Sequence, residues 1–192
     1  MVVKVVENSL STKDIQEIVE IIKQKHGDLV NKSSNGRKIT TVRVSDTLKQ
    51  KIDNAFGFTL PKEIPISIFN GDTHEHVDSI VHNNGKNPKD FLNTYVLNLT
   101  KNIGQFKIGD NSYPLNEGSL YKFNENTIHS TINTGDTTRL SIGPCNENGQ
   151  CVGVMATAYI KGGKRKTKRK NKKSKKSSHK KRKGRKTRKS KK

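Results

Sequence analysis

From Lys161 to Lys192 the chain carries 21 Lys and Arg in 32 residues, with no Asp or Glu and no apolar side chain. Such a segment has nothing to bury and repels itself, so it is expected to be a disordered tail when unbound. Whatever folds must therefore lie in residues 1–160. The net charge of +21 belongs wholly to the tail, because the remainder holds 17 basic and 17 acidic residues. A chain of about 160 residues suits one domain with a single core and is too short for two.

No run approaches the roughly 20 apolar residues of a membrane helix. The opening Met1-Val2-Val3-Lys4-Val5-Val6-Glu7 is broken by a lysine and lacks the apolar stretch of a secretory signal. An intracellular protein, cytoplasmic or nuclear and not membrane-bound, is the expectation. Cys145 and Cys151 flank an Asn/Gly-rich turn. Two free thiols of a reducing compartment are expected there, with a hairpin disulfide as the alternative.

Val (13) and Ile (16) make up more than half of the apolar residues, which favours strands. A mostly β core is expected, preceded by a helical part in about residues 1–60. Ser11-Thr12-Lys13-Asp14 fits a capping box, and Ile15, Ile18, Val19 and Ile22 follow at helical spacing, with Gly27 as a stop. A second helix is predicted from Asp46, with Leu48, Ile52, Ala55 and Phe56 on one face and Gly57 at its end. Between them lies a Thr/Val strand, about Ile39 to Val44.

After Pro65 the period becomes two. Ile64, Ile66 and Ile68 alternate, as do Tyr95, Leu97 and Leu99. Short segments near Gln105–Ile108, Leu120–Phe123, Ile128–Ile132, Arg139–Ile142 and Val152–Ile160 complete a series of strands joined by polar turns. That spacing predicts a sandwich or barrel.

The stretch that carries chemistry is Gly71-Asp72-Thr73-His74-Glu75-His76-Val77-Asp78. In an extended chain residues two apart point the same way, so His76 and Asp78 can present an imidazole and a carboxylate to one point. His129 offers a third ligand from a later strand, and two His with one carboxylate is the facial triad of non-haem Fe(II) sites. Arg139 and Ser141 share a strand face and can clamp a remote carboxylate by charge-assisted hydrogen bonds. Duller readings exist: a polar turn for His76 and Asp78, a core histidine for His129, a surface pair with Asp136 for Arg139. His26 and His82 have no partner pattern and read as surface residues.

The ordered set His76-x-Asp78, His129, Arg139-x-Ser141 resembles the pattern of 2-oxoglutarate-dependent Fe(II) dioxygenases over about residues 64–143. The middle of that region is similar to prolyl-hydroxylase-type members, although these usually have Lys where Arg139 stands. His129-Ser130-Thr131-Ile132-Asn133 resembles the aspartyl/asparaginyl hydroxylases. The resemblance implies a double-stranded β-helix (jelly roll) with the N-terminal helices packed on it. It also implies Fe(II) held by His76, Asp78 and His129, and 2-oxoglutarate chelating the metal with its far carboxylate on Arg139 and Ser141. Tyr95 is a further candidate for that carboxylate, as in some members. O2 is the third reactant, and hydroxylation of a C–H bond accompanies decarboxylation of 2-oxoglutarate to succinate.

Two other classes stay open. His74 is in phase with His76, and a His-x-His pair resembles the cupins, in which His74 would be a ligand and no 2-oxoglutarate is needed. The other is a non-enzymatic jelly-roll protein that binds a polyanion. The substrate is open among a protein side chain, a nucleic acid and a small molecule.

The tail contains no aromatic residue to stack on bases, so any nucleic-acid or other polyanion binding by it should be sequence-blind and salt-sensitive. Import or solubility is the alternative role. In composition it also resembles tails on proteins of large DNA viruses, which would place the chain in a host cell or virion. Deleting 161–192 is expected to abolish retention on immobilised DNA or RNA at low salt, while leaving the 2-oxoglutarate turnover implied for the core. Retention by residues 1–160 alone would contradict this.

Overall fold

A computed structural model describes residues 3–31, 36–78 and 92–151. Their order is β1 (Lys4–Val6), α1 (Thr12–Asn31), β2 (Gly36–Val42), α2 (Asp46–Phe56), β3 (Ile64–Asn70), β4 (Thr73–His76), β5 (Asn93–Asn98), β6 (Gln105–Ile108), β7 (Asn111–Pro114), β8 (Leu120–Asn124), β9 (His129–Ile132) and β10 (Thr138–Cys145).

Both helices begin as their caps dictate. Ser11 Oγ accepts the Asp14 N–H at 3.2 Å and donates to the Asp14 carboxylate at 2.6 Å. In α2, Ser45 Oγ accepts the Leu48 N–H at 3.3 Å, and Gly57 closes the helix at φ 79°. Each cap satisfies backbone groups that the first or last turn would otherwise leave orphaned. Gly27 does not stop α1. The helix kinks at His26 (φ −137°) and continues, and the half-buried His26 ring meets Thr40 Oγ1 at 2.8 Å instead of lying free on the surface.

From β3 onward the strands alternate between two antiparallel sheets, except that β6 and β7 form a hairpin within one of them. One has the order β1-β8-β5-β10-β3-β2 and the other β4-β9-β6-β7. This winding is the jelly roll expected of the sequence, with β1 and β2 extending the larger sheet at its two edges. Ile64, Ile66 and Ile68 alternate toward the helices, where they join Ile18, Ile22, Leu48, Ile52 and Phe56 in one core. A smaller core of Phe106, Ile108, Leu115, Tyr121 and Phe123 fills part of the space between the sheets. Two apolar layers thus enclose the larger sheet, and the polar residues of its inner face look into a cleft.

β1 and β7 were not foreseen, and β2 lies slightly earlier than its Thr/Val pattern suggests. Strand Val152–Ile160, His82 and the tail Lys161–Lys192 fall outside the described residues. Among the described residues no helix is long and apolar enough to cross a membrane.

The structure corrects the expectation of two free thiols. Cys145 and Cys151 are disulfide-bonded, six residues apart. The turn between them closes through the Asn146 N–H on the Gln150 carbonyl (2.9 Å). An antiparallel bridge then sets the cysteine Cα atoms 4.0 Å apart. Local turn geometry decides the pairing in favour of the hairpin disulfide. Closing so short a loop is expected to contribute about 2 kcal/mol. Intact mass should be two hydrogens below the reduced value, and reductant should lower the unfolding temperature. Native labelling of both cysteines without reductant would contradict the bond.

Candidate metal and anion site

The site is made by a pairing irregularity. β4 pairs with β9 so that Thr73 lies opposite Thr131 and His76 opposite His129, three steps along β4 against two along β9. The extra residue is a β-bulge, which reverses the side-chain alternation of β4. Thr73 and His76 therefore both line the cleft. His74 and Glu75 are exposed, and Glu75 pairs with Lys107 at 2.8 Å. The inference that His74 shares a face with His76 holds only for an unbroken strand.

Asp78 follows β4 and is buried, as is His129. Ligand atoms of His76, Asp78 and His129 all lie within 4.8 Å of one another. Asp78 Oδ2 is 3.2 Å from His129 Nε2, and Oδ1 is 3.8 Å from His76 Nε2. Each imidazole is held in the same way. His129 Nδ1 lies 3.0 Å from the Thr127 carbonyl and His76 Nδ1 lies 2.7 Å from the His74 carbonyl. A carbonyl only accepts, so Nδ1 of each ring donates to it and Nε2 is the nitrogen turned toward Asp78. Two imidazole nitrogens and a carboxylate thus converge in an arrangement that can hold a metal ion. The donor set of two imidazoles and a carboxylate, with open positions, suits Fe(II). Phe106 and Phe123 pack against the His129 ring, with centroids 5.7 and 4.8 Å away, and dry that side of the cluster.

The same cleft is lined by Arg139 and Ser141, on one face of β10. Arg139 is 4 % exposed and its guanidinium stacks over Phe69 at 5.1 Å. Its Nη2 donates to the Gly71 carbonyl (2.9 Å) and to Thr131 Oγ1 (2.8 Å). Gly71 makes this possible by turning at φ 68°, a conformation favouring glycine. No pair with Asp136 forms. Arg139 Nε and Ser141 Oγ are buried without a hydrogen-bond partner. Thr94 Oγ1 and Ser119 Oγ are also buried without a partner, but only Arg139 Nε and Ser141 Oγ of these four lie in the cleft, where two such donors can bind an anionic group. Burial lowers the Arg139 pKa to about 10, against a smaller opposing pull from Asp72.

Tyr95 departs from its expected role. On β5 it is Val96 and Asn98 that line the cleft, while Tyr95 faces the other way, packs against Phe56 and Phe58, and donates its hydroxyl to Glu147 at 3.2 Å. The structure thus gathers His76, Asp78, His129, Arg139 and Ser141 into one cleft and leaves out His74 and Tyr95. Thr73, Thr131 and Phe69 belong to the cleft and were not singled out from the sequence. Thr131, two residues past His129 on the same strand, was within reach of an alternation argument; Thr73 was hidden by the bulge.

No protein-family model and no curated protein matches the chain. Among solved structures it is similar to the viral collagen prolyl hydroxylase of Paramecium bursaria Chlorella virus-1 in its 2-oxoglutarate complex. The identity is 11%, over 72% of this chain and 92% of that one, with a TM-score of 0.53. It is also similar to a Trichoplax adhaerens prolyl hydroxylase bound to a hypoxia-inducible-factor peptide, at 12% identity over 73% and 80% with a TM-score of 0.50. These likenesses show a shared fold, the double-stranded β-helix.

Burial disfavours the charge on Arg139, so its cost is present below pH about 10 and is relieved as pH rises toward the ordinary arginine range. Arg139→Met should accordingly leave the unliganded protein within about 1 kcal/mol of wild-type stability. It should also abolish any rise in unfolding temperature that added 2-oxoglutarate produces in the wild type. A strongly destabilised variant that keeps the ligand-induced shift would contradict the assignment.

Proposed function

We propose that the protein is an Fe(II)- and 2-oxoglutarate-dependent dioxygenase that hydroxylates a C–H bond of its substrate. The observation that carries this is the pair of orphaned donors, Arg139 Nε and Ser141 Oγ, in the same cleft as the His76–Asp78–His129 cluster. A metal site alone would not require them. The cupin alternative needs His74 as a ligand, yet that side chain is exposed and outside the cluster. The fold shared with two prolyl hydroxylases supports the same reading and makes peptides the first substrate class to assay.

In this reading His76 Nε2, His129 Nε2 and the Asp78 carboxylate hold the metal, and their Nδ1–H bonds to backbone carbonyls fix both rings. Bound Fe(II), with O2 and 2-oxoglutarate, supplies the oxidising power for hydroxylation as the cosubstrate is converted to succinate and carbon dioxide. Arg139 and Ser141 hold the far carboxylate of 2-oxoglutarate through a charge-assisted bond and a hydroxyl bond. Phe69, Val96, Phe106 and Leu115 line the cleft with apolar surface, which limits water around the reacting centre.

The purified protein is expected to release succinate from 2-oxoglutarate only with Fe(II) present. Asp78→Ala should abolish both metal binding and turnover, and His74→Ala should leave metal affinity within about twofold. Metal loss in His74→Ala with retention in Asp78→Ala would move the protein to the cupin class.

A further inference from the structure

We infer that Thr131 is a specificity-determining positioning residue: its hydroxyl fixes the Arg139 guanidinium at a set depth behind the metal cluster and thereby selects the length of the 2-oxo diacid held between them. This rests on the cleft being the 2-oxoglutarate site. An arginine side chain is long and freely rotating, and holding it in one pose needs fixed acceptors. Nη2 has two, the Gly71 carbonyl at 2.9 Å and Thr131 Oγ1 at 2.8 Å. The first lies on a turn, whereas the second lies on β9, two residues from His129.

Thr131 is itself braced. Its N–H donates to Thr73 Oγ1 at 2.8 Å, and the two threonine hydroxyls are 3.0 Å apart. The bulge in β4 is what brings Thr73 inward to complete this strut. One metal ligand and the acceptor for the guanidinium are thus separated by two residues of a single strand, about 7 Å. Since strands are stiff along their length, that interval is a ruler between the two ends of the bound diacid. Engaging Nη2 on the protein side also leaves Nε, unpartnered, for the ligand.

Thr131→Val keeps shape and burial while removing the hydroxyl, and Thr131→Ser keeps the hydroxyl. Equilibrium titration of the Mn(II)-loaded full chain with 2-oxoglutarate, oxaloacetate and 2-oxoadipate reads the effect without turnover. The expected result for Thr131→Val is roughly a tenfold loss of 2-oxoglutarate affinity and a narrowed preference over the shorter and longer diacids. Mn(II) affinity should stay within about twofold, Thr131→Ser should restore the preference, and in turnover assays KM should rise with kcat little changed. Unchanged affinity and preference in Thr131→Val, beside normal wild-type binding, would overturn the positioning role alone. Parallel loss of metal binding would overturn it too, by showing a general structural role. A wild-type protein that binds metal but none of the three diacids would overturn the functional reading and this inference together.

Discussion

One extra residue in β4 governs the site. Without the bulge between Thr73 and His76, the alternation of the strand would turn Thr73 and His76 to opposite faces. With it, His76 meets His129, Thr73 braces Thr131, and the His74 carbonyl remains available to the His76 ring. A pairing fault that would weaken an ordinary sheet here sets the first metal ligand and, through the threonines, the distant arginine.

The division of labour between the sheet faces follows from the same need. Burying a carboxylate, the His129 imidazole, a guanidinium and a serine in one cleft opposes folding, because each group must replace its water partners. The large apolar core lies on the other face of the larger sheet, where Ile64, Ile66 and Ile68 meet the two helices. β3 and β10 pair along Thr138–Ile142, so the strand that carries Arg139 and Ser141 is anchored by a neighbour committed to the apolar core. The stable side supports the costly one, as expected where function conflicts with stability.

Much of this was legible in the sequence because it is local or periodic. The capping box at Ser11, the cap at Ser45 and the alternation of Ile64, Ile66 and Ile68 write their structures directly. The five residues His76, Asp78, His129, Arg139 and Ser141 could be picked by chemistry and order. What failed depended on partners. The in-phase placement of His74 with His76 fails because period-two logic does not reveal a bulge. Tyr95 was misjudged because alternation says which residues share a face but not which face meets the cleft; Phe56 and Phe58 claim its ring for the helical side. The cysteine pair followed turn geometry at Asn146 and Gln150, which composition does not encode.

The central claim is that a single cleft holds a metal at one end and a carboxylate at the other. A crystal structure of the protein grown without oxygen, with Mn(II) and 2-oxoglutarate, tests it most directly through the metal's anomalous signal and the ligand density. The account requires the metal on His76 Nε2, His129 Nε2 and Asp78, with the far carboxylate on Arg139 Nε and Ser141 Oγ. Metal ligated by His74 in place of Asp78, or a diacid bound away from Arg139, would contradict it.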